Sequence, residues 1–204
     1  MAKHQQNITG TAGEDFPLPL TRGTPGERTV QMVSEQTKKL KEGIQRIIKN
    51  IILKTALIVI FILALFIILF GIIISPDTSM EPSVKSGDVV MFYRLDKSFV
   101  LHDLAVISYE GKKQIRRVVA KGGDTIDIID GRLVVNGSHQ QEKNIVTTTE
   151  RYDTGIEFPL TVPDKHIFVL SDDRDFATDS RMYGVVASDD TYGKVITLLR
   201  IRGI

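Results

Sequence analysis

The sequence predicts a mainly β domain carried behind one membrane-spanning helix, and three observations predict it. Residues 55–74 read TALIVIFILALFIILFGIII, twenty positions without a charge. From Ser86 onward, apolar positions recur mostly at period two, the period of a strand. Gly and Asp punctuate those runs at short intervals, as tight turns do.

Composition bounds the rest. The chain has 204 residues, with 26 Lys+Arg against 25 Asp+Glu. That balance argues against a general nucleic-acid binder, which would be strongly basic. An apolar share of 42% with 25% charged residues excludes global disorder. The absence of cysteine excludes a disulfide framework, a thiolate metal site and a cysteine nucleophile.

The N-terminal region divides by composition. Residues 1–28 are rich in Gly, Pro, Thr and Gln and read as a flexible tail. Residues 29–50 form an expected basic amphipathic helix lying on an anionic leaflet. The apolar block then spans about 30 Å at 1.5 Å per residue, the thickness of bilayer hydrocarbon. It begins after a 54-residue, largely polar stretch, too late for a cleavable signal peptide. Lys38, Lys39, Lys41, Arg46, Lys49 and Lys54 precede it, and only Lys85 and Arg94 follow within a similar distance. Positive residues stay cytoplasmic, so the expectation is a single-pass plasma-membrane protein with its N-terminus inside. The expected layout is a cytoplasmic tail over 1–50, a transmembrane helix over 51–75 and an extracytoplasmic domain over 76–204.

Within that domain, strands are expected at 89–93, 104–109, 115–120, 125–129, 133–135 and 167–170. Asp130-Gly131 between Ile128-Ile129 and Leu133-Val134-Val135 is a hairpin signal, because glycine tolerates the positive φ of a two-residue turn. Strands so spaced suggest a compact, largely antiparallel domain.

Three motifs follow the apolar block in order: Ser79-Met80-Glu81-Pro82, then Arg116-Arg117-Val118-Val119-Ala120-Lys121-Gly122-Gly123-Asp124, then Ser171-Asp172-Asp173-Arg174 with Asp179-Ser180-Arg181. Together, behind a single anchor, they resemble the bacterial type I signal peptidases over residues 75 to about 198. The resemblance implies a signal-peptidase-type antiparallel β domain and a serine endopeptidase acting on signal peptides of exported pre-proteins at the outer membrane face. It implies no metal or other cofactor and no nucleic acid; the partners are pre-proteins and membrane lipid. By position, Ser79 is the nucleophile. Met80 and Val89, Val90, Met91 and Phe92 are implied to shape the wall around the substrate. Asp179 and Arg181 match a structural ion pair, within a loop that includes Asp172 and Arg174.

Three positions depart from the family pattern. The general-base lysine falls at Arg116, and a guanidinium stays protonated in proteins, so it donates and cannot accept a proton. Lys113 has the wrong strand parity to replace it, and Lys112 lies about 13 Å away at 3.3 Å per residue unless a bulge intervenes. The serine that orients the lysine is Ala177. Asp77 stands where a small residue near the oxyanion site is usual; a carboxylate there opposes a developing oxyanion, or pairs with Arg116. Two readings remain open. One is a working peptidase with a substitute base; the other is a non-cutting binding or assembly factor for surface proteins such as pilins.

Other candidates are weaker. His102 and Asp103 are neighbours, so on a strand they face opposite sides, and His102 reads as a turn residue. His166 precedes a core strand and is assigned no chemistry. Asp172, Asp173, Asp175 and Asp179 are interleaved with arginines and lack the ligand ladder of a calcium loop. Gly122-Gly123 lacks the context of a phosphate loop.

Overall fold

The computed structural model describes residues 25–200, apart from 144, 146, 176 and 177. The expected tail therefore lies outside the described residues except for 25–28, which open helix α1 (Pro25–Leu69). Two compact units divide the chain, Met1–Ile58 and Val59–Ile204. In the first, every described residue belongs to α1, a helix with nearly all of its side chains exposed. Helix α1 is long enough to cross a membrane, and an 18-residue stretch of it is apolar enough.

The helix expected to run to residue 75 ends at Leu69. Phe70–Ile74 instead forms strand β1, paired antiparallel with β2 (Val89–Tyr93) from Phe70↔Tyr93 to Ile74↔Val89. The reason is local. Ile72-Ile73-Ile74 is a β-branched run that fits a strand better than a helix, and β2 offers it a partner. Gly71 permits the pairing, because a Cβ there would lie 2.1 Å from Phe92 Cζ.

The remaining elements are β3 (Leu104–Tyr109), β4 (Lys112–Lys121), β5 (Thr125–Ile129), β6 (Arg132–Val135), β7 (Ser138–His139), β8 (Leu160–Thr161), β9 (His166–Leu170), α2 (Ser180–Tyr183), β10 (Val186–Ala187) and β11 (Gly193–Leu199). One sheet has the order β1-β2-β11-β3-β4-β9-β10; the other is β7-β6-β5-β8, and every pairing is antiparallel. The β5–β6 hairpin turns at Asp130 (φ 52°) and Gly131 (φ 69°), both positive as the Asp-Gly signal requires.

Three buried clusters hold the domain. Met80, Val84, Val90, Phe92, Val106 and Ile115 pack together beneath β1 and β2. Phe99, Ala105, Ile107, Val118, Ile167 and Val169 form a second group. The third, with Val119, Ala120, Ile126, Leu133 and Phe168, joins the two sheets. Alternation along β2 points Val90 and Phe92 inward and leaves Val89, Met91 and Tyr93 half-buried.

Among the described residues, the larger sheet leaves strand edges open, two of them beside each other at β1 and β4. β1 is terminal and pairs only with β2. β4 pairs with β3 along 112–117, but β9 covers its other edge only along 117–121. Among the described residues, 112–116 therefore have no strand partner on that side. Ile73, Ile74, Pro76 and Asp77 line one rim of a cleft of about 510 Å³, and Lys112, Lys113 and Gln114 line the other.

Candidate active site

Ser79 lies five residues beyond β1, in a turn closed by Glu81 N–H to Thr78 O (2.9 Å) and Val84 N–H to Met80 O (2.8 Å). Buried Met80 and Val84 anchor that turn in the core and leave Ser79 half-buried at the surface. The loop after β9 is tied to it by Asp173 N–H to Ser79 O at 2.9 Å. Ser79, Arg116, Gln114, Asp77, Asp173 and Thr178 line a polar cavity of about 240 Å³. Asp77 and Gln114 also line the cleft between β1 and β4.

Arg116 projects from β4 to the nucleophile position. Its Nη1 donates to Ser79 Oγ at 2.9 Å and to Ile115 O at 2.7 Å. Its Nε and Nη2 donate to Thr178 O at 3.2 and 3.0 Å. The side chain is thus fixed by backbone carbonyls, and the residue is only 2% exposed. Thr178 O does the orienting here; Ala177, where the family's orienting serine was expected, lies outside the described residues.

Asp77 completes the arrangement. Its Oδ1 accepts from the Ser79 hydroxyl at 2.5 Å and from the Ser79 backbone N–H at 3.0 Å. The same local pattern recurs at Asp96 and Ser98, where Asp96 Oδ1 accepts from both Ser98 N–H (2.9 Å) and its hydroxyl. Asp-x-Ser therefore closes an Asx-type turn by itself. The direct Asp77–Arg116 ion pair weighed from sequence is replaced by a relay: the two charged groups meet on the hydroxyl between them.

The expected substitutes for lysine are placed elsewhere. β3 and β4 pair without a bulge from Leu104↔Arg117 to Tyr109↔Lys112, so the parity argument holds along this stretch. Lys113 Nζ sits over the Tyr192 ring at 4.5 Å, and Lys112 is exposed on the cleft rim. Among the described residues, Ser79 Oγ has two side-chain hydrogen-bond partners: it donates to Asp77 and accepts from Arg116.

The other implied residues divide between core and scaffold. Met80, Val90 and Phe92 are core residues, and the cavity and cleft are lined from β1, β4, the Pro76–Ser79 segment, Asp173 and Thr178. Val89 and Met91 occupy the alternate face of β2, which β1 and β11 flank on either side. Asp179 and Arg181 form a fully buried bidentate pair, with Nε–Oδ1 and Nη2–Oδ2 both 2.9 Å. Asp179 also caps α2 and accepts from Ser171 N–H. Asp172 binds Arg117 through both oxygens at 2.7 and 2.6 Å, and Arg174 binds Glu142. These pairs brace the strands and loop behind the site. Tyr183 stacks on Tyr109 nearby; burial, reinforced by Asp179 against the opposing influence of Arg116, raises its hydroxyl's pKa.

His102 occupies a turn at φ 73°, where its carbonyl accepts from Arg117. Among the described residues, no group of three His, Asp or Glu side chains is arranged to hold a metal ion. Sequence reasoning missed Gln114, Thr178 and the β1 rim. The β1 rim alone had a local signal, the β-branched run after Gly71.

Two features of this geometry bear on acyl transfer. A nucleophilic hydroxyl needs an acceptor with basicity near the working pH; the Ser79 hydroxyl donates to the Asp77 carboxylate and receives a hydrogen bond from the Arg116 guanidinium, where the resemblance places a lysine. A tetrahedral intermediate needs free donors for its oxyanion; the Ser79 N–H is already committed to a carboxylate.

Comparison with known proteins agrees with the motif reading. The family model described as "Signal peptidase, peptidase S26" matches residues 48–199. The chain is 29% identical to signal peptidase I P of Bacillus subtilis subsp. natto, covering 72% of this chain and 83% of that protein. It is 29% identical to signal peptidase IB of Staphylococcus aureus strain N315, covering 67% and 85%. Against thylakoidal processing peptidase 1 of Arabidopsis thaliana the identity is 28%, covering 59% of this chain and only 39% of the relative's length. With the motifs in order, the β domain behind an apolar helix and a family match across most of the sequence, the chain belongs to the peptidase S26 signal peptidase family.

Proposed function

We propose that this protein binds extended segments of exported pre-proteins, signal peptides among them, in the cleft between β1 and β4 and holds them without cutting. One observation carries the reading: Ser79 gives its N–H and O–H to Asp77, while its oxygen is occupied by Arg116. The binding half is supported by the open strand edges. An extended peptide added to such an edge gains main-chain hydrogen bonds, with pockets for alternate side chains. The apolar Ile73, Ile74 and Pro76 rim suits a signal peptide's apolar residues. In this reading α1 anchors the protein in the plasma membrane with the β domain outside. Surface subunits such as pilins are one class of exported cargo to be held.

The test uses full-length protein in detergent with a fluorescent signal peptide. Saturable binding with intact peptide recovered is expected, and Ile74→Asp on the cleft rim weakens binding by about tenfold or more through an unpaired charge on an apolar contact. Cleavage by the wild-type chain that Ser79→Ala abolishes would overturn the non-cutting reading. Absence of any saturable binding would overturn the binding one.

A further inference from the structure

The first half of α1 carries an apolar stripe whose spacing differs from that of a helix lying flat on a surface. Val30, Val33, Thr37, Leu40, Ile44, Ile47 and Ile51 follow one another at intervals of three, four, three, four, three and four. That is an unbroken a/d heptad, an average period of 3.5, which keeps a seam facing a partner helix. Among the described residues of the first unit the stripe is uncovered: its aliphatic members are 46% (Ile44) to 69% (Val30) exposed.

Charge placement follows the same frame. Lys38, Lys39, Arg46 and Lys49 fall at b, c, c and f, away from the seam. Of the flanking e and g positions between residues 34 and 50, only Lys41 is charged, and in a parallel pair it faces Gln36. A surface-lying helix commonly carries aromatic anchors, and residues 29–51 contain no Phe, Tyr or Trp. Helix α1 also runs without interruption into the apolar block. Copies inserted in one membrane sense therefore present this segment in parallel, at raised effective concentration.

We propose that residues 30–51 form a parallel coiled coil with a second copy of this chain, joining two protomers on the N-terminal side of the membrane. Six aliphatic seam side chains per helix, at roughly 60–120 Å² each, bury about 700–1,400 Å² over both helices. That reaches only the lower edge of the roughly 1,200–2,000 Å² of a stable interface, so the pairing depends on the shared bilayer. Nothing in this inference depends on the fate of peptides at Ser79.

The chain has no cysteine, so the test is clean. Single cysteines are placed in the full-length protein at Thr37, Leu40, Ile44 and Ile47, and on the outer face at Glu35, Glu42 and Lys49. Each variant is reconstituted in lipid vesicles and mildly oxidised. Disulfide dimers form at the first four at least about fivefold faster than at the outer three, because a and d side chains meet their counterparts and f side chains point away. The contrast persists on dilution with lipid, and Leu40→Lys in the Ile47→Cys chain abolishes it. Equal rates at all positions, a maximum on the outer face, or seam cysteines shielded from aqueous thiol reagents yet uncrosslinked would each overturn the proposal. The last of these outcomes marks a helix lying on lipid.

Discussion

Arg116 and Ser79 meet with the polarity of a catalytic pair reversed: Nη1 donates to Oγ at 2.9 Å, at the place where a base would accept. Because Asp77 also holds the serine's N–H, the proposed non-cutting role predicts two separate obstacles to acyl transfer. Replacing Arg116 by Lys alone supplies an amine but leaves the oxyanion donor occupied, so cleavage stays at background. Arg116→Lys with Asp77→Gly removes both blocks, and signal-peptide cleavage rises at least about 100-fold, the lower end of what either contribution is worth. Peptide cleavage followed by mass spectrometry checks this. Full activity in the single Lys variant would show that Asp77 is no obstacle.

Gly71 is a packing requirement of the β1–β2 pair. A Cβ there meets the Phe92 ring at 2.1 Å from Cζ, and Phe92 is itself fully buried. Gly71→Ala is expected to destabilise the domain by about 1–3 kcal/mol through overpacking. Thermal melting in detergent measures it, and Phe92→Leu in the same chain recovers part of the loss. An unchanged melting temperature in the single variant contradicts the packing argument.

Buried Asp179 and Arg181 satisfy one another, so removing one is worse than removing both. Asp179→Ala leaves a guanidinium unpaired in the interior, at a cost of about 3–5 kcal/mol. An Asp179→Leu, Arg181→Met double variant keeps more stability than either single change, since a buried pair replaced by apolar groups is often neutral. Urea denaturation of the four proteins orders them.

Acid sensitivity is expected at Asp88. Its hydrogen bonds from Arg200 outweigh burial and hold its carboxyl below the ordinary 3.8. The folded state therefore binds that proton less readily than the unfolded chain. The stabilisation is complete above about pH 4, and it is lost as pH falls through the lower folded value. Asp88→Asn lowers stability at pH 7 and flattens the acid limb of the curve. Parallel wild-type and variant curves below pH 4 would remove Asp88 as the source.

The sequence made legible what depends on local pattern. The strands at 89–93, 104–109 and 125–129 and the Asp130-Gly131 hairpin follow from alternation and turn chemistry, and the structure has them with the same bounds. β1 was hidden because an apolar helix end and an apolar strand read alike within one unbroken run, and tertiary pairing with β2 decides between them. β11 carries a bulge between Val195 and Thr197 that breaks its period, and its place between β2 and β3 is a long-range fact. At the site, the contact of Ser79 with Arg116 spans 37 positions, and Thr178 acts through its carbonyl, which any residue would supply. Asp77 could be placed near the serine by sequence; that it takes both of the serine's protons could not.

The unpaired rims of β1 and β4 carry a liability alongside the proposed binding role. Bare strand edges are templates for self-association, and proteins blunt them with charge. Lys112 and Lys113 on one rim and Asp77 on the other act as gatekeepers against a second molecule adding itself as a strand. Neutralising the two lysines would make the protein prone to aggregate when purified empty, and a filled cleft would keep it dispersed.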